Sequence, residues 1–307
     1  MKVNQYWEKE LDSMDNLPLN YSMDKIDFPS EIANVYEISY KSLFDEIIYG
    51  WFIEPKNKQE YPLVLEYIGY MNHLESPLQF MHWLSIGCGV LVTDSRGQGG
   101  RTLDTAPYQT VEEESLMAKG FLDRDDFYLR RLYWDGLRLV ELAQLLPKVN
   151  QDQIFIHGTS QGGGVGSFVN SVTPHPIRYG FFDVPSHANL SHRVANGTGS
   201  YQGIHEYLIR YPEKQPMILE TLEYFDIKNV VSQIKNPVLV SVGNEDPICP
   251  KEDYYEAFIN ILSKKEWLLY ERPGHGGGGL QHDEIILNYI LNEILNNSYR
   301  QKNDLLL

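Results

Sequence analysis

Ser160 lies in a sequence pattern that could turn its hydroxyl group into a nucleophile. It is the central residue of 158–162, GTSQG, which matches Gly-x-Ser-x-Gly and is separated by His157 alone from the apolar run 153–156. The pattern is typical of a sharp turn from a strand into a helix, where small residues let the two elements approach closely. The amide of Gln161 at the helix start could then face a developing oxyanion. The alternative is a tight turn that contains an incidental serine.

A serine nucleophile also needs a general base and an acid that orients the base. Where such a turn carries the nucleophile, the acid and then the histidine follow it along the chain, each after a later strand. Asp246 ends the strand-like run 236–246, and His275 follows the run 266–274. Both side chains are therefore predicted to reach the edge of the sheet at which Ser160 lies.

Three other carboxylates compete with Asp246 for the role of the acid. Glu245 is its neighbour and is expected to point the other way at the strand end, whereas Asp253 falls in the next predicted helix. Asp183 ends another strand-like run, at 177–185, where an acid could also lie. We prefer Asp246 and keep the other three as alternatives.

No metal or cofactor site is predicted. His187 and His192 are five positions apart, which does not fit the spacing of about four residues that places two zinc ligands on one helix face. The glycine-rich segment 273–279 lacks the Lys-Ser/Thr pair that follows a phosphate-binding loop. Protein side chains and backbone groups are therefore expected to carry the chemistry alone.

The elements that would position these residues alternate along the chain. Apolar strand-like runs separated by helical patterns indicate an α/β fold with a mostly parallel central sheet and helices on both faces. The predicted strands are 34–40, 46–55, 61–70, 89–97, 153–158, 177–185, 236–246 and 266–274, and the predicted helices are 76–87, 125–146, 161–172 and 281–296. We expect a single domain over 1–307, with an N-terminal arm or helix in 1–33 and a helical, cap-like insertion in 186–230.

The composition excludes several classes of partner. The 307 residues are 42% hydrophobic and 22% charged, and the formal net charge of −16 argues against nucleic acids and anionic membranes as partners. No stretch approaches the roughly 18 apolar residues of a membrane span, and the first residues lack the apolar core of a signal peptide. Cys88 and Cys249 are too few for a disulfide scaffold. These features predict a cytoplasmic protein.

Five short motifs connect the chain to a known family. They are DSRGQGG (94–100), GTSQGGG (158–164), YFDIKN (224–229), VGNEDPICP (242–250) and PGHGGG (273–278). In this order they resemble carbohydrate esterase family 7, which contains acetyl xylan esterases and cephalosporin C deacetylases. The similarity runs from about residue 35 to the C-terminus.

The resemblance implies the α/β-hydrolase fold, a role for several residues and an oligomeric state. The implied site residues are Ser160, Asp246 and His275 as a catalytic triad, the backbone amides of Tyr70 and Gln161 as an oxyanion hole, and Arg96 and Gln98 as structural support for the oxyanion loop. Members of the family are commonly hexameric, with their sites facing an internal cavity. A homo-oligomer, by resemblance a hexamer, is therefore expected.

Two segments depart from the family pattern. The family usually has a glutamate after the catalytic histidine, where this chain has Gly276, and a glycine-rich run where this chain has MNHLESP at 71–77. The first difference removes a carboxylate that could fix the histidine loop, and the second changes the wall beside the oxyanion hole. Because neither touches a triad position, we expect catalysis to be retained and substrate choice to be affected.

The preferred function is a serine esterase that removes short acyl groups, above all acetyl, from a carbohydrate or a related alcohol. One alternative is a peptidase of the prolyl-peptidase type, but such enzymes usually bind the substrate amine with a glutamate pair, and the sequence shows no convincing pair. The other alternative is a binding protein on the same fold without catalytic activity. The ordered serine, acid and histidine argue against it.

Overall fold

The structure, a computed structural model, describes residues 2–112 and 115–304. The strands in these ranges are β1 (Ser22–Lys25), β2 (Ala33–Lys41), β3 (Ile47–Pro55), β4 (Tyr61–Tyr67), β5 (Gly89–Thr93), β6 (Val149–Thr159), β7 (Tyr179–Asp183), β8 (Val238–Glu245) and β9 (Lys265–Pro273). They form one sheet in the order β1-β2-β3-β5-β4-β6-β7-β8-β9. Strands β1, β2, β3 and β5 pair antiparallel, and β5, β4, β6, β7, β8 and β9 pair parallel. The predicted, mostly parallel α/β sheet is confirmed.

Most of the helices connect parallel strands that follow one another along the chain, as crossovers in a parallel sheet require, whereas the first helix precedes the sheet and the last follows it. Within the described ranges they are α1 (Lys2–Asp15), α2 (Tyr128–Leu145), α3 (Gln161–Val172), α4 (Leu190–Asn196), α5 (Gln202–Arg210), α6 (Gln215–Glu223), α7 (Lys251–Phe258) and α8 (Leu280–Asp304). Residues Pro77–Ile86, which the sequence pattern predicts as a helix, form 3-10 turns. None of the helices in the part of the chain that the structure describes is long and apolar enough to cross a membrane.

The two faces of the sheet are buried by different elements. All seven residues of β4 are buried, and they alternate between a cluster that includes Leu63 and Leu65 and a second cluster that includes Val64. Helices α1, α2, α3 and α7 contribute to the first cluster, whereas 77–86 and α8 contribute to the second. A strand covered on both faces reads as a continuous apolar run, because neither side of it meets water.

Segment 186–230, predicted as a cap, carries α4, α5 and α6 between β7 and β8. Its Tyr201 is fully buried, and the Tyr201 hydroxyl lies 2.5 Å from His187 Nδ1. At the N-terminus, Trp7 of α1 donates a hydrogen bond from its indole nitrogen to the Tyr224 carbonyl at 2.8 Å. The N-terminal helix and this segment are therefore packed into the same core.

Candidate active site

Ser160 occupies a strained turn between β6 and α3. Its φ of 59° and ψ of −118° are a conformation that costs a non-glycine residue on the order of 1–3 kcal/mol. A Cβ on Gly162 would lie 1.8 Å from the Tyr67 carbonyl oxygen, and a Cβ on Gly158 would lie 2.3 Å from the Gly162 carbonyl oxygen. Only glycine fits at these two positions, so the Gly-x-Ser-x-Gly pattern is required by the close approach of strand and helix.

Two backbone amides beside this turn are available to stabilise negative charge. Gln161 is the first residue of α3, so its N–H has no partner within the helix. Tyr70 lies in the loop after β4, which adjoins the turn because a Cβ on Gly162 would also lie 3.0 Å from the Ile68 carbonyl oxygen. Neither amide donates a loop or cap hydrogen bond in ranges 2–112 and 115–304. The structure thus brings the two predicted oxyanion donors to adjoining segments.

Gln98 ties these two segments together. Its Oε1 accepts a hydrogen bond from the amide of Met71, the residue after Tyr70, at 2.7 Å. Its Nε2 donates to the Gln161 side-chain oxygen at 2.9 Å and to the Tyr128 hydroxyl at 2.8 Å. Because the Gln98 side chain is fully buried, these bonds form without competition from water and fix the loop relative to the helix.

Arg96 supports the same region from within the core. Its Nε and Nη2 donate to the two carboxylate oxygens of Asp135 at 2.7 and 2.6 Å. Its backbone carbonyl accepts a hydrogen bond from Tyr128 at 2.6 Å. Both members of the ion pair are buried, and removal of one partner of such a pair costs about 3–5 kcal/mol of stability. The contacts of Arg96 are structural, as the sequence resemblance implies.

Replacing Gln98 with alanine is expected to lower kcat about 10- to 100-fold, since even a shift of about 1 Å in an oxyanion donor has an effect of this size. The change frees the Met71 amide and so releases the Tyr70 loop. The Gln98→Glu variant keeps an acceptor for the Met71 amide and is expected to retain more activity. Initial rates on p-nitrophenyl acetate measure both variants, with exposed Gln202→Ala as the control. Wild-type kcat in Gln98→Ala would show that Gln98 does not hold the loop.

Asp246 and His275 form a hydrogen-bonded pair at the same edge of the sheet. His275 Nδ1 lies 2.6 Å from Asp246 Oδ2, and Asp246 Oδ1 accepts the amides of Ile248 and Cys249, each at 2.9 Å. The Asp246 side chain is fully buried, whereas the His275 side chain is 21% exposed. His275 Nε2 is buried without a hydrogen-bond partner among the described residues. This nitrogen is therefore available to take a proton.

The three competing carboxylates are engaged elsewhere. Asp183 contacts two other histidines, at 3.1 and 2.7 Å, through its two oxygens. Asp253 Oδ1 lies 2.7 Å from His192 Nδ1, and Glu245 is exposed. Among the hydrogen bonds and ion pairs of the described residues, His275 has Asp246 as its carboxylate partner. The geometry thus favours Asp246 as the acid.

A cavity of about 380 Å³ lies beside the Tyr70 loop. Thr159, which precedes Ser160, and Met71, which follows Tyr70, both contribute to its wall. Its polar lining comes from Glu66, Asn72, His73, Glu75, Gln79 and Thr159. The segment 71–77, in which the sequence departs from the family pattern, therefore supplies much of the wall of a polar cavity next to the candidate oxyanion hole.

The structure also shows supporting residues that the sequence analysis did not identify. Tyr128 and Asp135 face Gln98 and Arg96 from α2, and no local motif marks them. A second group, around His157, lies under the site on the opposite face of the sheet from α3. Its sequence signal is a charged residue inside an otherwise apolar strand, QIFIHG at 153–158.

Comparisons with known proteins identify the family of the chain. A model of the acetyl xylan esterase (AXE1) family matches residues 2–292. Acetyl esterase Axe7A of Xylanibacter ruminicola is 24% identical over 271 residues, which cover 86% of this chain but 61% of that protein. The chain thus spans less than two thirds of the length of this curated relative.

Solved structures show the same relationship. An acetyl xylan esterase from Paenibacillus sp. R4 has a TM-score of 0.89 and 27% identity, with 94% of each chain covered. Acetyl xylan esterase 1 from Thermoanaerobacterium sp. JW/SL YS485 has the same fold, with a TM-score of 0.89 at 24% identity over 95% of this chain and 93% of that one. The α/β-hydrolase fold and the predicted family are both confirmed, and the chain belongs to the acetyl xylan esterase family.

Proposed function

We propose that this protein is a serine esterase that removes acetyl groups from carbohydrates through an acyl-enzyme on Ser160. The observation that carries the proposal is the Asp246–His275 pair, 2.6 Å apart, at the sheet edge where Ser160 occupies its strained turn. His275 Nε2, which has no hydrogen-bond partner among the described residues, provides the base that a serine nucleophile needs. Membership of the acetyl xylan esterase family supports the substrate class.

The proposed reaction proceeds in two steps. In the first, His275 Nε2 takes the proton of Ser160 as its Oγ bonds to the ester carbonyl carbon, and the amides of Tyr70 and Gln161 stabilise the oxyanion. The carbon–oxygen bond to the alcohol breaks, and His275 returns the proton to the departing alcohol. In the second, His275 takes a proton from water as the water oxygen bonds to the acetyl carbon, the bond from that carbon to Ser160 Oγ breaks, His275 returns the proton to Ser160, and the acid product leaves and ionises to acetate. Asp246 holds the His275 ring in the tautomer that exposes Nε2.

The polar cavity beside the Tyr70 loop supports a hydroxyl-rich alcohol portion. Asn72, Gln79 and Thr159 offer side chains that both donate and accept hydrogen bonds. These three side chains are exposed, and an alkyl chain that covered them would leave their polar groups without partners, whereas sugar hydroxyls can pair with them. The cavity therefore favours a carbohydrate over a fatty acyl or alkyl group.

The acyl preference is expected to be steep, because Tyr70, Met71, His73 and Leu74 of the loop after β4 are expected to lie against the acyl group and to leave little depth for a longer chain. Each extra methylene that cannot enter loses about 1–3 kcal/mol, or roughly a 10- to 200-fold step in kcat/KM. Values for p-nitrophenyl acetate, butyrate and octanoate test this expectation. Equal or rising efficiency towards octanoate would contradict a deacetylase and favour a general carboxylesterase.

The two other functional classes are tested with the same preparation. A peptidase would cleave a peptide p-nitroanilide faster than p-nitrophenyl acetate, and a protein without catalytic activity would cleave neither. A panel of acetylated sugars, acetylated xylo-oligosaccharides and cephalosporin C then identifies the alcohol. We expect acetate release from the carbohydrate esters, and release from cephalosporin C alone would contradict the carbohydrate assignment.

The family resemblance further leads us to propose a homo-oligomer, and specifically a hexamer, and the composition leads us to propose a cytoplasmic location. Light scattering coupled to size-exclusion chromatography measures the mass in solution against the 35.5 kDa of one chain. Six chains per particle support the proposal, and a monomer would contradict it.

A further inference from the structure

A continuous set of polar side chains crosses the face of the sheet that α8 covers. Both carboxylate oxygens of Glu66 lie 2.8 Å from His157 Nδ1, and His157 Nε2 lies 3.1 Å from Asp183 Oδ2. Asp183 Oδ1 lies 2.7 Å from His282 Nε2, and His282 Nδ1 lies 2.9 Å from the Tyr270 hydroxyl. We call these five residues the buried polar chain, because all except Tyr270 are buried.

The partners of His157 fix its protonation state. Both ring nitrogens face carboxylates, which only accept hydrogen bonds when ionised, so the ring donates from both nitrogens and carries a positive charge. Burial alone lowers the pKa of His157, but Glu66 and Asp183 outweigh it and raise that pKa well above 6.5. Burial raises the pKa of Asp183, but His157 and His282 outweigh it and hold that pKa well below 3.8. At the centre of the buried polar chain, the His157 cation therefore lies between the carboxylates of Glu66 and Asp183, an arrangement that we call the ionic sandwich.

Three members of the buried polar chain belong to segments that carry the oxyanion donors and the nucleophile. Glu66 lies at the end of β4, from which the Tyr70 loop continues, and His157 lies on β6 just before the Ser160 turn. The backbone carbonyl of Asp183 accepts a hydrogen bond from the Ser160 amide at 2.8 Å. A displacement of these side chains would thus be transmitted to both sides of the candidate oxyanion hole.

The other two members contact the loop that carries His275. The His282 amide donates to the Gly279 carbonyl at 2.8 Å, at the start of α8. Gly278 has a φ of +98°, and a Cβ at this position would lie 2.5 Å from the Tyr270 ring and 2.8 Å from the His282 Cβ. The glycine-rich loop therefore lies directly on the end of the buried polar chain.

We propose that His157 and His282 are positioning residues of the esterase. Through the buried polar chain they fix the positions of the oxyanion loop, the Ser160 turn and the His275 loop relative to one another. The inference rests on the proposed function. Neither histidine has a part in the proton transfers above, since both are committed to carboxylates on the other face of the sheet. Their effect on catalysis is geometric, because small displacements of catalytic groups reduce rates strongly.

The first test compares His282→Leu with His282→Gln, which keeps a donor for Asp183. Active sites are counted with an organophosphate that phosphorylates the serine and releases one p-nitrophenol per site, and kcat and KM for p-nitrophenyl acetate are expressed per site. We expect His282→Leu to lose about 10- to 100-fold in kcat with little change in KM, and His282→Gln to recover much of the loss. His175→Leu, before β7 at the other end of the sheet, serves as the control with wild-type kcat.

The outcomes separate this inference from the proposed function. If the organophosphate does not label the wild-type protein and acetate esters are not cleaved, the proposed function fails before any variant is considered. If the wild type is labelled and active but His282→Leu has wild-type kcat per site, only the positioning inference fails. A folded His282→Gln variant as slow as His282→Leu would also overturn it.

A second test uses the pH dependence of thermal stability and applies even where a variant folds poorly. The charged groups around His157 are Glu66 on β4, Asp183 on β7, and Asp283 and His282 on α8, with His82 from 77–86. The pKa of His157 is raised in the folded state, so His157 stabilises the fold fully at pH values below its unfolded-state pKa, and this stabilisation is lost as pH rises through its folded-state pKa. The pKa of Asp183 is lowered, so Asp183 stabilises the fold above its unfolded-state pKa, and this stabilisation is lost as pH falls through its folded-state pKa. The combined contribution of the two residues to the free energy of unfolding is therefore largest between pH 3.8 and pH 6.5, their ordinary pKa values.

Above pH 6.5 the wild-type Tm is expected to fall, and His157→Gln is expected to be less stable with a smaller fall over this range. The double variant His157→Gln/Glu66→Gln also removes one of the two carboxylates that lose their cationic partner in the single variant. It is expected to recover part of the Tm lost in His157→Gln. A His157→Gln curve parallel to that of the wild type, or no recovery in the double variant, would contradict the ionic sandwich and the proposal with it.

Discussion

Replacing Ser160 with alanine is expected to abolish ester hydrolysis, with a loss of about 10⁶-fold in kcat, as found when nucleophiles of this kind are removed. Without the hydroxyl no acyl-enzyme can form, and the amides of Tyr70 and Gln161 have no tetrahedral intermediate to stabilise. The structural contacts of this turn come from the backbone, in which the Ser160 amide donates to Asp183 and its carbonyl accepts from Ser186. Thermal unfolding is therefore expected to be nearly unchanged.

Initial rates with p-nitrophenyl acetate measure this loss. Gln202→Ala provides the control, since the exposed Gln202 side chain lies outside the lining of the cavity and takes no part in the proposed proton transfers. A Ser160→Ala variant that keeps more than a few per cent of wild-type activity, after purification free of the wild type, would exclude Ser160 as the nucleophile.

Replacing Asp246 with asparagine is expected to lower kcat by about 10⁴-fold, because the histidine then adopts the wrong tautomer and the imidazolium loses its counter-charge. The Asp246 carboxylate accepts from His275 through one oxygen and from two backbone amides through the other. An asparagine can preserve much of this geometry but can also present an N–H group to His275 Nδ1. The expected loss of kcat therefore comes from the missing negative charge and the wrong histidine tautomer more than from a changed conformation of the site.

The alternative acids provide the comparison for this prediction. Asp253→Asn changes a carboxylate that contacts His192 and makes no hydrogen bond or ion pair with His275 among the described residues, and it is expected to retain most of the activity. Asp183→Asn disturbs the buried polar chain and is expected to have an intermediate effect. If either variant lost more kcat than Asp246→Asn, the assignment of the acid to Asp246 would be wrong.

Much of the sheet could be predicted from apolar runs. Strand β4 and residues 153–158 of β6 are buried, so their sequences are mainly apolar and stand out from the surrounding chain. Strand β1 could not be predicted in this way, because its sequence, SMDK, is polar and mostly exposed and only its pairing with β2 makes it a strand. The 3-10 turns of 77–86 share the apolar spacing of a helix, and spacing alone does not separate the two.

The candidate triad and the buried polar chain differ in how much the sequence reveals. Ser160, Asp246 and His275 each follow a strand in a recognisable chain order, so topology alone brings them to one edge of the sheet. The pairing of Glu66 with His157 depends instead on the register of β4 and β6, in which these residues stand side by side. In the sequence this pair is indicated by one charged residue within LVLEY and one within QIFIHG. The strand register then shows that these two residues are partners.

The most direct test of the account is to trap the acyl-enzyme. The wild-type protein is mixed with an acetyl ester, quenched in acid within the first turnover and analysed by intact mass and peptide mapping. The account predicts one added acetyl group per chain, located on Ser160 and absent from Ser160→Ala. An acetyl group on another residue, or rapid hydrolysis in repeated early quenches with no covalent adduct, would contradict it.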